Sequence, residues 1–398
     1  MIFAGLFGRY YSRGPKKNYS DFRVYYATAQ RFIDKQDIYA RPDESITPYK
    51  YSSMFALLVS PLAFVSIHAA SLIFFAINFW LLVAVFIVIK RMIGRQKFSL
   101  WQQIALYALP ALCASRFIIQ VFDSGQVNIL SLALVVFGFY LLYKGKDIPA
   151  AALLGLSVMI KYMPIIILPY LLARKKYKAA CFMVVFIALY CMVPALYVGA
   201  SMQIGYLKSW LPFISDTSFD KGSWYDPENQ SLYSMAIRYL SFDYPGSIAF
   251  AKLTFGPCIA IGAALAAALY VLILLPSRRE QTPPVVDVSL LLLCLALFNP
   301  NAWNHNFVMM IAGYMVVAGY LISVRFKDIP VLVLTVASFA LSSWVKKGIV
   351  GRELDMFFAK ASVVTLGALV LMCILFYLKF SNKMSVAQSP ARAPGTKE

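Results

Sequence analysis

Residues 67–89 read IHAASLIFFAINFWLLVAVFIVI and contain no Asp, Glu, Lys or Arg. A helix of about 20 such residues is long enough to cross the hydrocarbon core of a bilayer. Comparable apolar runs follow at about 99–115, 127–143, 179–199, 253–275, 285–298, 306–323, 329–345 and 357–378. The sequence therefore predicts an all-α, polytopic integral membrane protein.

The composition agrees with a protein that is surrounded mostly by lipid. Of the 398 residues, 61% are hydrophobic and 14% are charged, whereas soluble domains are about 45–50% apolar and about 25% charged. The soluble globular, disordered and disulfide-scaffold classes are therefore excluded. The net charge of +19 is explained better by basic cytoplasmic loops than by a nucleic-acid partner. The six cysteines all lie inside apolar runs, and there are only two histidines, so we expect no metal site.

The distribution of Lys and Arg predicts the orientation of the chain. These residues concentrate in alternate loops and in the C-terminal tail, which is the pattern of cytoplasmic segments. The tail is then cytoplasmic and the long loop at 200–245 lies outside. Residues 1–52 fit this scheme poorly, because alternation places their basic cluster, Arg9 to Lys17, on the outer side. Either the N-terminus is exported or a leading helix is absent from this sequence, and we favour the second explanation.

One apolar stretch, between residues 149 and 172, is interrupted. About 12 apolar residues lead to Lys161-Tyr162-Met163-Pro164, and a short second run follows. Because basic residues flank both ends, we predict a pair of short or broken helices with Lys161 near the apex, on the outer side. A lysine between apolar runs needs an anion or a path to water. Lys161 either snorkels toward the outer headgroups or binds a lipid-linked phosphate.

A second candidate region is the helix predicted at residues 21–34. Its apolar and aromatic residues recur at helical spacing: Phe22, Tyr25, Tyr26, Ala29 and Ile33. The pattern is that of an amphipathic helix suited to lying on the membrane surface. Asp21 stands at its beginning. It either complements the helix dipole as a capping acid or acts as a general base at the membrane–water boundary.

A short polar turn joins two apolar runs near residue 125. Arg116 precedes the turn, and Gln126 and Asn128 follow its glycine. Amides that enter a membrane are costly unless they are hydrogen-bonded. Gln126 and Asn128 therefore bond either to a neighbouring helix or to a polar ligand.

Two further polar stretches belong to the same outer face. Asn229 and Gln230 in the outer loop are amides of the kind that hold sugar hydroxyls. The turn from Asn299 to Asn306 contains several asparagines together with Trp303 and His305. A tryptophan there is ordinarily an interfacial anchor and a lone histidine is ordinarily structural, but the same set also suits sugar stacking and phosphate contact.

The motifs along residues 21–310 occur in a recognisable order. They are Asp21-Phe22-Arg23-Val24-Tyr25-Tyr26, Asp37-Ile38-Tyr39, Phe55-Ala56-Leu57-Leu58 with Pro61-Leu62, Gly125-Gln126-Val127-Asn128, Ile160-Lys161 with Pro164, Asn229-Gln230-Ser231, and Pro300 with Trp303 and His305. In this order the sequence resembles glycosyltransferase family 87, whose members are membrane enzymes of the GT-C type that use polyprenyl-phosphate sugars. That family pattern has a spanning helix ahead of the Asp motif, and this sequence lacks one.

The resemblance implies a bundle of about 10–12 transmembrane or broken helices with an outward-facing cavity. It implies catalytic roles for Asp21 and His305, and contact between Lys161 and the donor phosphate. We add Arg116 as a second phosphate ligand. For the sugar or the acceptor we expect side chains that carry amides, hydroxyls or aromatic rings: Tyr25, Tyr26, Gln126, Asn128, Asn229, Gln230 and Trp303.

The expected activity is transfer of a hexose, with mannose as the family default, from a polyprenyl-phosphate donor to a hydroxyl of a glycolipid or glycan. We expect it to occur at the outer face of a bacterial cytoplasmic membrane, without metal or cofactor, and with inversion at the donor. No nucleic acid is involved. The C-terminal apolar runs match the family only by hydropathy.

The sequence divides into three regions in this interpretation. Residues 1–66 form an N-terminal outer-face segment with the amphipathic helix and the Asp motif, 67–379 form the transmembrane bundle with the outer loop 200–245, and 380–398 form a disordered cytoplasmic tail. Two alternatives remain. A transporter or flippase of a lipid-linked sugar would be expected to show paired halves, and a glycan ligase or polymerase would be expected to carry a larger outer loop with more arginine.

Overall fold

A computed structural model describes residues 2–13, 19–40, 48–94, 98–218, 221–244, 251–276, 284–345, 347–381 and 383. Of these residues 81% are helical and none forms a β-strand. The α-helices are α1 Ile2–Arg13, α2 Ser20–Ile33, α3 Ser53–Val59, α4 Ile67–Ile93, α5 Leu100–Cys113, α6 Ser115–Ser124, α7 Asn128–Tyr143, α8 Asp147–Ile160, α9 Ile167–Ala173, α10 Tyr177–Met192, α11 Ala195–Val198, α12 Ala200–Ser218, α13 Lys221–Tyr225, α14 Leu232–Leu240, α15 Phe255–Leu274, α16 Pro284–Leu297, α17 Met310–Ser323, α18 Ile329–Phe339, α19 Lys347–Val350, α20 Arg352–Lys360 and α21 Val363–Phe380. Tighter 3-10 turns occupy Ser60–Phe64, Met163–Ile166 and Asn304–Met309, and a π-helical turn occupies Ala340–Trp344.

The described part of the chain contains five helices that are long and apolar enough to cross a membrane: Ile67–Ile93, Tyr177–Val198, Phe255–Leu274, Asn304–Ser323 and Val363–Phe380. A sixth span results if α5 and α6, which meet at an angle of 64°, are taken together. Six further apolar helices are shorter, with 10–17 residues each. The prediction of an all-α polytopic membrane protein is confirmed.

The centre of the bundle is formed by α16 and α17. In the span Asn304–Ser323, 94% of the most apolar 18-residue stretch is buried inside the protein. Such all-round burial explains why α16 and α17 are hydrophobic on every face instead of along one stripe. The turn between them, residues 298–309, is therefore held at one end of the bundle axis.

The predicted break near residue 161 is present. Helix α8 ends at Ile160, and Lys161 has an extended backbone with φ −138° and ψ 127°. A 3-10 turn with Pro164 near its start then leads into α9, whose Tyr170 ring contacts Phe139 near the end of α7 with centroids 5.9 Å apart, so α9 returns toward the end of the bundle where α8 begins. Because proline has no amide hydrogen, it is tolerated at the start of a helical segment but would disrupt a continuous helix. Lys161 thus stands at the tip of a helical hairpin.

The amphipathic helix predicted at 21–34 forms as α2, but its environment differs from the prediction. Its apolar side chains Phe22, Tyr25 and Phe32 are 0–1% exposed. They pack against protein, including Phe55 of α3 and Phe74 of α4. The expectation that this face contacts the membrane surface is therefore wrong. Helical periodicity shows that one face is apolar, but it does not show what covers that face.

Helix α1 packs against the same end of the bundle. The Arg9 guanidinium donates two hydrogen bonds to the Asp123 carboxylate, from Nε at 2.8 Å and from Nη2 at 2.6 Å. The ring of Tyr10 stacks on Phe75 of α4 with centroids 5.1 Å apart. Arg9 of the basic N-terminal cluster is thereby paired with an acid. Residues 14–18 of that cluster, and most of the predicted tail 380–398, lie outside the described residues.

Candidate active site

A cavity of about 350 Å³ opens at the end of the bundle where α2, the α8–α9 hairpin tip, α12 and the 298–309 turn meet. Its lining includes both polar and apolar side chains. The polar lining consists of Asp21, Tyr25, Lys50, Tyr51, Gln126, Lys161, Tyr162, Asn299, Asn301, Trp303, His305 and Asn306. The apolar lining consists of Val24, Pro48, Ile160, Met163, Trp210 and Ile214.

Asp21 lies in the first turn of α2 and faces this cavity. Its Oδ2 accepts a hydrogen bond of 2.5 Å from Nε2 of Gln126. Burial raises the pKa of the Asp21 carboxyl, and the Gln126 hydrogen bond and the charges of Lys161 and Lys50 act in the opposite direction. The N-cap position of α2 is Tyr19, which makes no side-chain capping bond. Asp21 is therefore not the N-cap residue; it lies in the first turn, where a carboxylate complements the helix dipole, and it also lines the cavity.

Lys161 also faces the cavity. Its Nζ donates a hydrogen bond of 2.9 Å to Oδ1 of Asn306. The same oxygen accepts a bond of 3.0 Å from Nδ2 of Asn128, which also donates to the backbone carbonyl of His305 at 2.8 Å. Asn128 is not among the residues that line the cavity. It positions the Asn306 side chain, to which Lys161 donates its hydrogen bond.

Trp303 and His305 line the cavity from the 298–309 turn. This turn is tied to the outer loop by Asn229, whose Nδ2 donates to the Pro300 carbonyl at 2.7 Å and whose Oδ1 accepts from the Ala302 amide at 3.2 Å. The backbone amide of Gln230 donates to the Ala302 carbonyl at 2.9 Å. Asn229 and Gln230 are thus buried behind the turn and outside the cavity lining, so the structure does not support the predicted contact of these amides with the sugar.

Two other predicted site residues lie elsewhere. Arg116 forms an ion pair with Asp355 at 3.5 Å and donates to the Val345 carbonyl. Its side chain thus contacts α20, through Asp355, and the backbone at Val345, and it is not among the residues that line the cavity. Tyr26 points to the opposite side of α2 from Asp21 and donates to the Val65 carbonyl at 2.8 Å. The structure therefore does not support contact of Arg116 with the donor phosphate or of Tyr26 with the sugar.

The cavity unites six of the predicted site residues: Asp21, Tyr25, Gln126, Lys161, Trp303 and His305. It is also lined by Lys50, Tyr51 and Asn306, which are not among the predicted site residues. Asn306 belongs to the asparagine-rich turn, which was a usable signal. Lys50 and Tyr51 follow Pro48-Tyr49 in a stretch without a distinctive pattern, so only the packing of the chain identifies them.

Within the described residues, no group of three or more His, Cys, Asp or Glu side chains is arranged to hold a metal ion. Among the described residues, the acid and the lysines that line the cavity are Asp21, Lys50 and Lys161. Burial lowers the pKa of the Lys161 ammonium group to about 7, and the charge of Asp21 acts in the opposite direction. The arrangement brings a carboxyl group and two lysines to one cavity.

Comparisons with known proteins bear on this site. Residues 49–300 match the model of glycosyltransferase family 87. The chain is 22% identical over 345 residues to a polyprenol-phosphate-mannose-dependent alpha-(1-2)-phosphatidylinositol mannoside mannosyltransferase of Mycobacterium tuberculosis (strain ATCC 25618 / H37Rv), and the alignment covers 81% of this chain and 75% of that protein. No solved structure matches the chain. The family match contains Gln126 and Lys161, whereas Asp21 precedes it and His305 follows it.

Proposed function

Since this chain belongs to glycosyltransferase family 87, we propose that it transfers mannose from a polyprenyl-phosphate donor to an acceptor hydroxyl at the outer face of the membrane. Family membership and the apolar helices make it a multi-pass membrane glycosyltransferase. The mannose and the lipid-linked donor are inferred from the name of the mycobacterial relative. The acceptor is a glycolipid or a glycan.

The observation that carries this proposal is that Asp21 and Lys161 face one cavity. Glycosyl transfer to a hydroxyl needs a base that removes the acceptor proton. It also needs positive charge that stabilises the departing phosphate. A carboxylate and an ammonium group in a single cavity supply both requirements, and the transfer needs no metal because Lys161 supplies the charge.

The reaction is a single displacement. Asp21 removes the proton from the acceptor hydroxyl while the hydroxyl oxygen attacks the anomeric carbon. The bond from that carbon to the phosphate oxygen breaks, the electron pair leaves with the phosphate, and the configuration at the carbon inverts. Lys161 and the His305 imidazole stabilise the leaving phosphate through charge-assisted hydrogen bonds. Trp303 offers an aromatic face to the sugar ring.

The mixed lining of the cavity supports an amphiphilic donor. Ile160 and Met163 lie close to Lys161 along the chain, and Trp210 and Ile214 of α12 also line the cavity. Apolar side chains of this kind suit the first isoprene unit of a donor whose phosphate bonds to Lys161, and the polar lining suits its sugar.

The hairpin of α8 and α9 supports the proposed orientation. Lys161 stands at its tip, and the basic residues 174–178 follow the end of α9. Helix α8 has 14 residues, which at 1.5 Å per residue separate its ends by about 20 Å. Basic loops collect on the cytoplasmic side. We therefore place the cavity at the periplasmic face of the bacterial cytoplasmic membrane, with the C-terminus in the cytoplasm.

The test is a transfer assay with the full chain in liposomes. A short-chain polyprenyl-phosphate-mannose serves as donor, total bacterial membrane lipid serves as acceptor, and a chelator is present. Mass spectrometry follows the loss of donor and the gain of a hexose on lipid. We expect chelator-insensitive transfer that Asp21→Asn abolishes. Full activity of Asp21→Asn contradicts the proposed mechanism, and turnover of a pentose donor alone contradicts the choice of mannose.

A matched control is available on the same helix. Asp34 follows the last turn of α2 and is exposed to solvent. Asp34→Asn removes the same charge at the other end of α2 and is expected to keep wild-type transfer. Equal loss in Asp34→Asn and Asp21→Asn would indicate a general effect on α2 instead of the removal of a base.

A further inference from the structure

We infer that Gln126 is a positioning residue that orients the Asp21 carboxylate, and that the hydroxyls of Tyr25 and Tyr51 set the orientation of its amide. This inference rests on the proposed role of Asp21 as the base and extends it. Gln126 and Tyr25 then act on the base instead of binding the sugar. Tyr51, which is not among the predicted site residues, acts together with Tyr25 on the Gln126 amide.

The hydrogen bonds around the Gln126 amide define its orientation. The Tyr25 and Tyr51 hydroxyls are 2.8 Å apart, so one of them donates to the other. The remaining hydroxyl proton is directed to Oε1 of Gln126, which lies 3.3 Å from the Tyr25 oxygen and 3.5 Å from the Tyr51 oxygen. Nε2 then points to Asp21 and donates the bond of 2.5 Å. A flipped amide would place its oxygen against the carboxylate, and two acceptors would face each other. The tyrosines thus favour the orientation in which Gln126 donates to the base.

The backbone that carries Gln126 is constrained as well. Gly125 has φ +67°, and a Cβ added there would lie 2.7 Å from Cβ of Phe22. The turn therefore contacts α2 within one residue of Asp21. On its other side, the Arg9–Asp123 ion pair attaches the end of α6 to α1. Both ends of the Asp21–Gln126 bond therefore lie on segments that are packed together.

Burial argues against a sugar contact for Gln126. Its side chain is 7% exposed, and Tyr25 is 1% exposed. Both polar atoms of the Gln126 amide already have protein partners. One N–H of Nε2 and the oxygen Oε1 are therefore held by groups of the protein. What the arrangement offers instead is a fixed donor on the carboxylate, which holds it in one direction and favours its ionised form.

Among the described residues, the titratable groups of Lys50, Lys161, Tyr162 and His305 line the cavity with Asp21. Tyr25 and Tyr51 line it as well and interact with the Asp21 charge. The lysine charges lower the pKa of Asp21, as does the hydrogen bond from Gln126, whereas burial raises it. Removal of the Gln126 donor alone leaves burial less opposed, so the pKa of Asp21 rises further. The ionised base is then lost at a higher pH.

The experiment compares the pH dependence of kcat/KM for the short-chain polyprenyl-phosphate-mannose donor in four proteins: wild type, Gln126→Leu, Tyr51→Phe and Tyr49→Phe. For Gln126→Leu we expect the acid limb to move to higher pH and kcat to fall about 10- to 100-fold, as for loss of a hydrogen bond to a charged group, with donor KM unchanged. Tyr51→Phe keeps the ring and should shift the limb in the same direction with a smaller loss of about threefold.

Tyr49→Phe is the matched control. Tyr49 is buried two residues away and packs on Tyr51, with ring centroids 5.6 Å apart. Its hydroxyl donates to the Ser52 carbonyl at 2.8 Å and takes no part in the Gln126 network. Tyr49→Phe should keep the wild-type acid limb. Thermal unfolding of each variant in detergent separates folding defects from kinetic ones, and Tyr51→Phe carries the test if Gln126→Leu does not fold.

The outcomes distinguish this inference from the proposed function. A wild-type acid limb in both Gln126→Leu and Tyr51→Phe, with wild-type transfer still abolished by Asp21→Asn, overturns the positioning role and leaves the function intact. A raised donor KM in Gln126→Leu with an unshifted limb assigns Gln126 to substrate binding instead. Full activity of Asp21→Asn overturns the proposed function itself.

Discussion

Asn306→Asp is the most informative single change in the cavity, because it introduces a negative charge next to Lys161. Oδ1 of Asn306 already lies 2.9 Å from the lysine Nζ, so the new carboxylate would form an ion pair with that ammonium group. Its second oxygen replaces Nδ2, which donates to the Asn301 carbonyl at 3.1 Å, so the variant also loses that hydrogen bond. At 2.9 Å two unit charges attract by about 1.4 kcal/mol in water and by about 6 kcal/mol at an effective dielectric constant of 20. A donor phosphate would then compete with this internal anion for the same ammonium group.

Even the lower of these energies has a measurable effect. An attraction of about 1.4 kcal/mol corresponds to about a tenfold change in an equilibrium constant. We therefore expect the donor KM to rise at least about tenfold, and kcat to fall because the leaving phosphate loses part of its stabilisation. Initial rates of donor consumption at varied donor concentration, measured by mass spectrometry in liposomes, give both constants. A thermal unfolding curve in detergent establishes that the variant is folded.

A double-mutant cycle shows whether the effect acts through Lys161. In Lys161→Met the cation is absent, so Asn306→Asp has no ammonium group to neutralise and should add little to the defect. Equal losses from Asn306→Asp in the wild-type and Lys161→Met backgrounds would refute the reasoning. An unchanged donor KM in a folded Asn306→Asp protein would also refute it.

Three further predictions concern the same end of the bundle. Burial raises the pKa of Asp21, and the base must be ionised, so kcat/KM should fall as pH decreases through a value above the ordinary aspartate range; a pH profile with no such limb contradicts the assignment. Gly125→Ala should destabilise the protein by more than about 1 kcal/mol and reduce transfer, because it adds a clash with Phe22 to the backbone strain of φ +67°. Gly145→Ala, at φ +72° in open space, adds backbone strain alone. Equal melting temperatures for the two variants contradict the clash. Asn229→Ala leaves two backbone carbonyls and two backbone amides without their side-chain partner, so unfolding in detergent should become easier by about 2–4 kcal/mol, and an unchanged melting temperature contradicts the role of Asn229 in holding the turn.

Several features of the fold were predictable because they depend on short stretches of chain. The break at Lys161 follows from a charged residue and a proline between two apolar runs, and both act within one helical turn. Helix α2 was recognisable from its periodicity. What covers its apolar face could not be predicted, because the residues that bury Phe22 and Tyr25 come from α3 and α4, which lie elsewhere in the chain.

The candidate site was predictable in part for a similar reason. Asp21, Lys161 and His305 are predictable as site residues because a charged or polar group beside an apolar run raises the free energy of the protein unless it has a bonding partner. The same reasoning also predicts Arg116 and Asn229 as site residues, but in the structure both bond to other parts of the protein and neither lines the cavity. A residue type shows that a partner is needed, but it does not show whether the partner is a substrate or another part of the chain.

The positions of the helices follow from the amino-acid sequence alone, because the length of an apolar run and the charges that interrupt it set where a chain enters and leaves a bilayer. The active cavity depends on long-range packing. The bond from Gln126 to Asp21 joins residues 105 positions apart, and the bond from Lys161 to Asn306 joins residues 145 positions apart. Such contacts exist only when the helices are packed, because no local rule of backbone geometry relates residues so far apart in the chain.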